Sequence, residues 1–346
     1  MGNYYIPAKY LLSKIFNYKV IEPKKITNKT IEIGTKYSPE FVCTPFKYTL
    51  GCFIESLDEG ANVLIQAGGG CRYGYYSELQ EQILKDLGYD FEMVNFVTCG
   101  KANIKRIKGL LKSVDKKYNK IKMIYYGLIT IKMIKYMDEI EDYIRKNIGF
   151  EVEKNSLRDL ESKMLMEFQK VNNIFSLYFI YKKYKRKIKK VKIKEKKNVL
   201  KVGIIGELYT IMEPFSNYFI EDTLASYNIE VHRYTNADYL LFKKRKEVKK
   251  FLNYASEYIK YPMGADAADN IARCKYMGEN KFDGIIHIKS SFCTPEIGAM
   301  PIISKVCKDY DVPVIFMSFD SNTSEVGIKT RLEAFYDMLE MRKQNE

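Results

Sequence analysis

Two copies of the tripeptide Cys-Thr-Pro carry the clearest chemical signal in this sequence. They occur at Cys43-Thr44-Pro45 and at Cys293-Thr294-Pro295, and each leads from an apolar segment into a helix-like one. Proline is favoured at the first helical position and threonine is a common cap before it, so each copy predicts a helix start. The positive end of the helix dipole favours a thiolate, the form of cysteine that binds metal. The pattern indicates a metal-binding pair, and the alternative is two helix caps that share a cysteine.

A third cysteine lies in a glycine-rich loop that follows a predicted strand. The loop Gly68–Gly74 has neither the Lys-Ser/Thr ending of a P-loop nor the spacing of a dinucleotide fingerprint. Its glycines would let backbone N–H groups approach sulfide atoms, and Arg72 would offset the charge of thiolate ligands. A tight turn in which Cys71 simply packs is the alternative. The pattern predicts metal ligands at Cys43, Cys71 and Cys293, with Gly70 and Arg72 beside the bound group.

Three other residues are weaker candidates for a role at such a site. His287 would complete a Cys3His zinc site with Cys293, but its apolar strand favours a core histidine. Glu296 falls in the first turn of a predicted helix, where the helix dipole alone accounts for an acidic residue. Glu325 lies near the predicted ligand-binding edge of the sheet. Proton transfer is therefore an alternative role for Glu296 and for Glu325. The remaining cysteines lack a helix-entry motif and are expected to be core or surface thiols: Cys52, Cys99, Cys274 and Cys307.

The elements that must position these residues follow from hydrophobic patterning. From Lys29 onward we expect strands and helices to alternate, with strands at 62–67, 91–97, 199–205, 229–234, 283–288 and 312–318. Long segments rich in Ile, Met, Tyr and Lys between 103 and 190 predict helices. The alternation is typical of an α/β fold with two open parallel sheets. We expect one domain at 1–190 that includes the helical extension, a basic linker at 191–198 and a second domain at 199–346.

The three predicted ligands all lie on loops that lead into helices, at the sheet edge where ligands bind in open parallel sheets. Their separations of 28 and 222 residues match no zinc knuckle or ferredoxin run, so only the fold can bring them together. We therefore expect the metal site in a cleft between the two domains.

Composition indicates a soluble cytoplasmic protein. The chain has 346 residues and seven cysteines, and we see no signal-peptide pattern and no apolar run of the roughly 20 residues that a membrane span needs. The net charge of +14 comes mostly from one run, residues 182–197, which holds eleven basic residues and one glutamate. Such a run is usually a solvated face, and no nucleic-acid motif accompanies it. Nucleic acid is therefore not an expected partner.

In order and spacing, the motifs of this chain resemble those of the 2-hydroxyacyl-CoA dehydratase superfamily. The likeness is strongest to acyl-CoA dehydratase activase-related proteins and to the D component of 2-hydroxyglutaryl-CoA dehydratase, and it extends from about Phe41 to the end. The residues that carry it are Cys43–Lys47, Gly70–Gly74, Gly206–Tyr209, Glu213-Pro214, Phe292–Glu296 and Ser324–Phe335.

This resemblance implies two flavodoxin-like or Rossmann-like domains with a 4Fe-4S cubane between them. Cys43, Cys71 and Cys293 match the three ligand positions, which leaves one iron open for a 2-hydroxyacyl-CoA. It also implies a separate activator ATPase as donor of low-potential electrons, a homodimer or heterodimer, and the metabolism of an anaerobe. The chain would be either a component of the dehydratase lyase or a low-potential reductase.

Other functions remain open at the level of sequence. Relatives with a double-cubane cluster act as ATP-dependent reductases, but they need more cysteine ligands than three. A zinc or metal-free module could use the same cleft and its N–H donors for an anionic ligand. The basic run could instead serve for docking to an acidic partner.

Overall fold

Two separate parallel β-sheets, each flanked by helices, form the frame of this α/β protein. The computed structural model describes residues 2–16, 19–66, 73–98, 101–102 and 120–345. Within these residues, none of the helices combines the length and the apolar character needed to cross a bilayer.

The amino-terminal part is built around a two-stranded parallel sheet. Strands β1 (Val63–Gln66) and β2 (Glu92–Asn95) pair in parallel, as the apolar runs predict, and a short antiparallel pair follows, β3 (Val97–Thr98) and β4 (Lys101–Ala102). The helices of this part are α1 (Tyr5–Ile15), α2 (Asn28–Tyr37), α3 (Thr44–Asp58) and α4 (Tyr73–Asp86).

Helix α2 departs from the expected alternation of strand and helix. The β-branched residues around Ile31 favour a strand, but the Thr30 hydroxyl accepts a 3.1 Å hydrogen bond from the Thr27 backbone N–H, which is a helix-start signature. Helix α2 then packs against α3 at backbone distance. A Cβ added at Gly34 would lie 1.8 Å from the Lys47 carbonyl oxygen, and one at Gly51 would lie 2.0 Å from that of Thr30. The pairing with α3 thus overrides the local β-propensity.

Three helices occupy the middle of the chain, as expected for residues 103–190 in the part that is described. They are α5 (Lys120–Asn147), α6 (Ser156–Phe168) and α7 (Ile174–Lys189). Their apolar faces share one core with α1, to which Tyr10, Met133, Phe168 and Leu177 contribute buried side chains. The basic run begins inside α7 and continues beyond it, and Ile193 in this continuation forms an isolated β-bridge with Glu151.

The carboxy-terminal part contains a four-stranded parallel sheet in the order β6-β5-β7-β8. Its strands are β5 (Lys201–Gly206), β6 (Glu230–Arg233), β7 (Gly284–Ser290) and β8 (Val314–Phe319), each within one or two residues of its predicted position. All seven residues of β7 are buried, as expected for a central strand. The helices are α8 (Leu208–Met212), α9 (Ile220–Ser226), α10 (Lys244–Tyr254), α11 (Ala267–Glu279), α12 (Thr294–Asp309) and α13 (Glu325–Asn345).

A buried ionic cluster ties α5 to the edge of the larger sheet. The Glu221 carboxylate lies 2.9 Å from the guanidinium groups of both Arg145 and Arg233, and Arg233 also pairs with Glu141 at 3.3 Å. Burial opposes ionisation of Glu221, but the two arginines outweigh it and lower the pKa of the carboxyl. The middle helices therefore contact both α1 and the carboxy-terminal sheet, and the domain limits at 190 and 199 stay a prediction.

Replacing Glu221 with glutamine tests this cluster. The change leaves two buried guanidinium groups without their shared carboxylate, so we expect a loss of about 3 kcal/mol in the free energy of unfolding. Chemical denaturation followed by circular dichroism measures it. Glu333→Gln, on the exposed face of α13, is the matched control and should change stability by less than about 0.5 kcal/mol. Equal stability of the two variants would contradict the structural role of the cluster.

Candidate metal centre

Both Cys-Thr-Pro tripeptides begin a helix. Cys43 is the N-cap of α3 and Cys293 is the N-cap of α12, each with an extended backbone. The Cys43 carbonyl accepts from the Phe46 N–H at 3.0 Å, and the Cys293 carbonyl accepts from the Ile297 N–H at 2.9 Å. Cysteine itself is therefore the cap residue and threonine is the first helical residue, so each helix begins one position earlier than expected. Neither cysteine side chain caps its own helix.

Thr44 brings the two helix starts together. Its backbone N–H donates to the Ser290 hydroxyl at 2.9 Å, and its own hydroxyl donates to the Phe319 carbonyl at 2.9 Å. Ser290 ends β7 and Phe319 ends β8, so the start of α3 lies on the carboxyl edge of the larger sheet. This is the edge from which the loop to Cys293 departs.

Aromatic contacts reinforce this junction. The rings of Phe41 and Phe292 meet edge to face with 5.7 Å between their centroids. Phe41 lies two residues before Cys43, and Phe292 directly precedes Cys293. The Cys43 Sγ lies 3.3 Å from the Tyr76 hydroxyl on α4. Cys43 and Cys293 are half-buried and close enough for the charge of one to act on the other.

The electrostatics at Cys293 differ from the expectation of a thiolate favoured by the helix dipole. Burial raises the pKa of the Cys293 thiol, and the carboxylate of Glu207 raises it further, whereas the Glu296 backbone N–H lowers it. The negative charge of Cys43 also raises this pKa. Ionising both cysteines therefore requires positive charge nearby, which a bound metal would supply.

His287 and Glu296 form a buried pair behind Cys293. The His287 Nε2 lies 2.7 Å from a Glu296 carboxylate oxygen, and both side chains are fully buried. Asn270 donates to the same carboxylate at 3.0 Å and also hydrogen-bonds the backbone of Gly206 at the end of β5. The His287 Nε2 thus engages Glu296, as favoured for a core histidine. Asn270 was not predicted, because no motif marks it in the sequence.

Glu325 lies apart from this pair. It begins α13 and its carboxylate lies 2.7 Å from the Lys329 ammonium one turn later, with both side chains half-exposed. This ion pair is typical of side chains one turn apart on a solvent-exposed helix surface.

Cys71, Gly70 and Arg72 lie outside the described residues. Helix α4 begins at Tyr73, just after them, and its Tyr76 contacts both Cys43 and the ring of Phe46, the latter at 4.8 Å between centroids. The chain that leaves the glycine-rich loop therefore passes beside Cys43. Among the residues that are described, no group of three or more His, Cys, Asp or Glu is arranged to hold a metal ion.

A comparison with protein families identifies the chain at the level of family. The model of the 2-hydroxyglutaryl-CoA dehydratase D-component matches residues 112–339, well over half of the sequence. The chain belongs to this family. The match confirms the resemblance to the 2-hydroxyacyl-CoA dehydratase superfamily, and a search of curated proteins finds no match to the chain.

The D-component match includes only part of the candidate metal centre. It contains Cys293, Glu296 and the whole carboxy-terminal sheet, whereas Cys43 and Cys71 precede it. Thr44 therefore joins a segment outside the match to the edge of a sheet within it.

The other described cysteines of the chain lie away from the two helix starts. Cys274 and Cys307 are buried between α11 and α12, with sulfur atoms 3.3 Å apart. Burial raises the pKa of Cys52, on α3, to about 12. Cys274 and Cys307 are therefore core residues, Cys52 is partly buried, and Cys99 lies outside the described residues.

Thr44→Val tests the junction between the helix start and the sheet. Valine preserves the shape but leaves the Phe319 carbonyl and the Ser290 hydroxyl with fewer partners in a buried site, so we expect a loss of about 1–3 kcal/mol in unfolding free energy. Chemical denaturation measures the loss. Thr330→Val, whose hydroxyl bonds only its own exposed helix at Val326, is the control. A Thr44→Val variant as stable as this control would show that the junction contributes little.

Proposed function

We propose that this chain is the iron-sulfur component of a 2-hydroxyacyl-CoA dehydratase-like system. In this proposal Cys43, Cys71 and Cys293 hold a 4Fe-4S cubane, with Gly70 and Arg72 beside it. The observation that carries the proposal is the pair of hydrogen bonds from Thr44, because they place two cysteine-capped helix starts at one sheet edge. Membership of the D-component family supports the dehydratase-like role.

The donor set fits such a cluster in three respects. Thiolates are the usual protein ligands of iron-sulfur clusters. Cys43 and Cys293 lie at the first turns of α3 and α12, where the positive ends of the helix dipoles stabilise the negative charge of thiolate ligands. The raised pKa of Cys293 is also relieved when a cationic metal binds, since a ligating thiol is deprotonated.

A cubane with three cysteine ligands leaves one iron open, and it would supply a Lewis-acid position and a one-electron redox centre. The residues of the chain then have distinct tasks. Thr44 fixes the distance between the two helix starts, and the contact between the Phe41 and Phe292 rings joins the segments that precede the two cysteines. The His287 Nε2 lies 2.7 Å from the Glu296 carboxylate behind Cys293, which makes this pair a candidate for holding a proton close to the site.

The proposal includes partners outside this chain. The sequence contains no P-loop or dinucleotide fingerprint, so the low-potential electron would come from a separate activator ATPase in the cytoplasm. The acyl-CoA substrate and the second subunit of a homodimer or heterodimer belong to the same proposal, and they rest on the family alone.

Metal analysis of the anaerobically purified protein is the direct test. We expect about four iron and four sulfide per chain after reconstitution, with the broad visible absorption of a cubane. Cys43→Ser, Cys71→Ser and Cys293→Ser should each lower the iron content at least several-fold, because each removes one of three ligands.

Cys274→Ser and Cys307→Ser are the matched controls, since both thiols are buried away from the junction. They should keep the iron content of the unmodified chain. A colourless protein that binds zinc or no metal would exclude the cluster, and an equal loss of iron in all five variants would exclude this ligand set.

A further inference from the structure

Lys289 is a buried cation close to the proposed cluster site. It is the penultimate residue of β7, and the residue as a whole is 4% exposed. Its Nζ has two long contacts, to the carbonyl oxygens of Ser290 at 3.5 Å and Ser291 at 3.4 Å. In the described part of the chain, no carboxylate forms an ion pair with it.

Such a position is costly for an ammonium group. Burial lowers the pKa of Lys289, while the negative charges of Cys293 and Glu296 raise it. The Glu296 carboxylate is already bonded to His287 and Asn270. Lys289 also lies near the start of α12, and the positive end of a helix dipole repels a cation. Further negative charge nearby would stabilise the ammonium form of a lysine in this setting.

A thiolate-bound cluster would provide that charge. Each cysteine ligand is deprotonated when it binds iron, and one-electron reduction adds another negative charge to the cluster. A fixed positive charge in a site of low dielectric constant stabilises the more negative, reduced state over the oxidised state. Replacing Lys289 should therefore change the reduction potential of the cluster.

We propose that Lys289 is a positioning residue that raises the reduction potential of the cluster bound at Cys293 by stabilising its reduced state. The inference rests on the proposed function, because it requires a cluster at these cysteines. It assigns Lys289 no contact with substrate. It also accounts for a lysine at a buried strand end where a polar neutral residue would cost less.

The test is a dithionite titration of the reconstituted, anaerobic protein in the presence of redox mediators, followed by electron paramagnetic resonance. Lys289→Met removes the charge and keeps most of the side-chain volume. We expect its midpoint potential to fall by at least about 59 mV, which is a tenfold change in the ratio of reduced to oxidised cluster for one electron. Lys289→Arg keeps the positive charge, so its midpoint potential should lie close to that of the unmodified chain.

Lys305→Met is the control, because Lys305 is exposed on α12 and pairs with Asp309. Its potential should match that of the unmodified chain. An iron-loaded Lys289→Met protein with an unchanged potential would overturn the inference and leave the proposed function intact. Absence of iron from the unmodified chain would instead reject the proposed function.

Loss of the cluster in the methionine variant is also informative. If Lys289→Met loses iron while Lys289→Arg keeps it, the positive charge is needed to hold the cluster, which supports the inference. The inference fails if Lys289→Met, Lys289→Gln and Lys289→Arg all lose iron to the same extent while circular dichroism is unchanged. In that case the lysine acts through its shape.

Discussion

The contact of Thr44 with the ends of β7 and β8 holds the two halves of the candidate metal centre in register. The backbone N–H of the first residue of α3 is bonded to a side chain of the opposite sheet, and its hydroxyl is bonded to a main-chain carbonyl there. Helix starts carry unpaired N–H groups that must find partners when they are buried. At Thr44 one of these groups is used to join distant parts of the chain, so the position of Cys43 depends on the sheet that also carries Cys293.

On the other side of the junction, a polar network anchors the start of α12. Glu296 receives hydrogen bonds from Asn270, which also bonds the backbone at Gly206, and it pairs with His287 on β7. These three side chains are buried and bonded to one another, which restrains their arrangement. The start of α12 is thereby fixed to β5, β7 and α11 together. A cysteine at its N-cap has little freedom to move, as a metal site requires.

Local sequence patterns predicted the features that depend on neighbouring residues. The strands followed from apolar runs, and the helix starts at Cys43 and Cys293 followed from cysteine, threonine and proline in order, with an error of one position. The alternation failed at α2, where packing of Gly34 and Gly51 against the opposite backbone outweighs the β-propensity of Ile31. Propensity is a weak guide where tertiary contacts decide.

Contacts between distant residues were beyond local patterns. Thr44 meets Ser290 and Phe319 across 246 and 275 residues, and nothing in the sequence marks either partner. The pairing of His287 with Glu296 required the fold, since the separation of nine residues bridges a strand end, a loop and a helix start. The predicted ligand Cys71 lies outside the described residues, and its role stays a prediction.

The close approach of α2 and α3 has a mechanical consequence for Cys43, at the start of α3. Where two helices touch through side chains, a change of rotamer absorbs small displacements. A contact between a glycine and a backbone carbonyl cannot adjust in this way. Helix α3 is a stiff rod of 15 residues with Cys43 at its tip. Any shift forced at Gly51 would be carried along the rod to the sulfur atom, so the tolerance of the site is set partly by two glycines that never touch it.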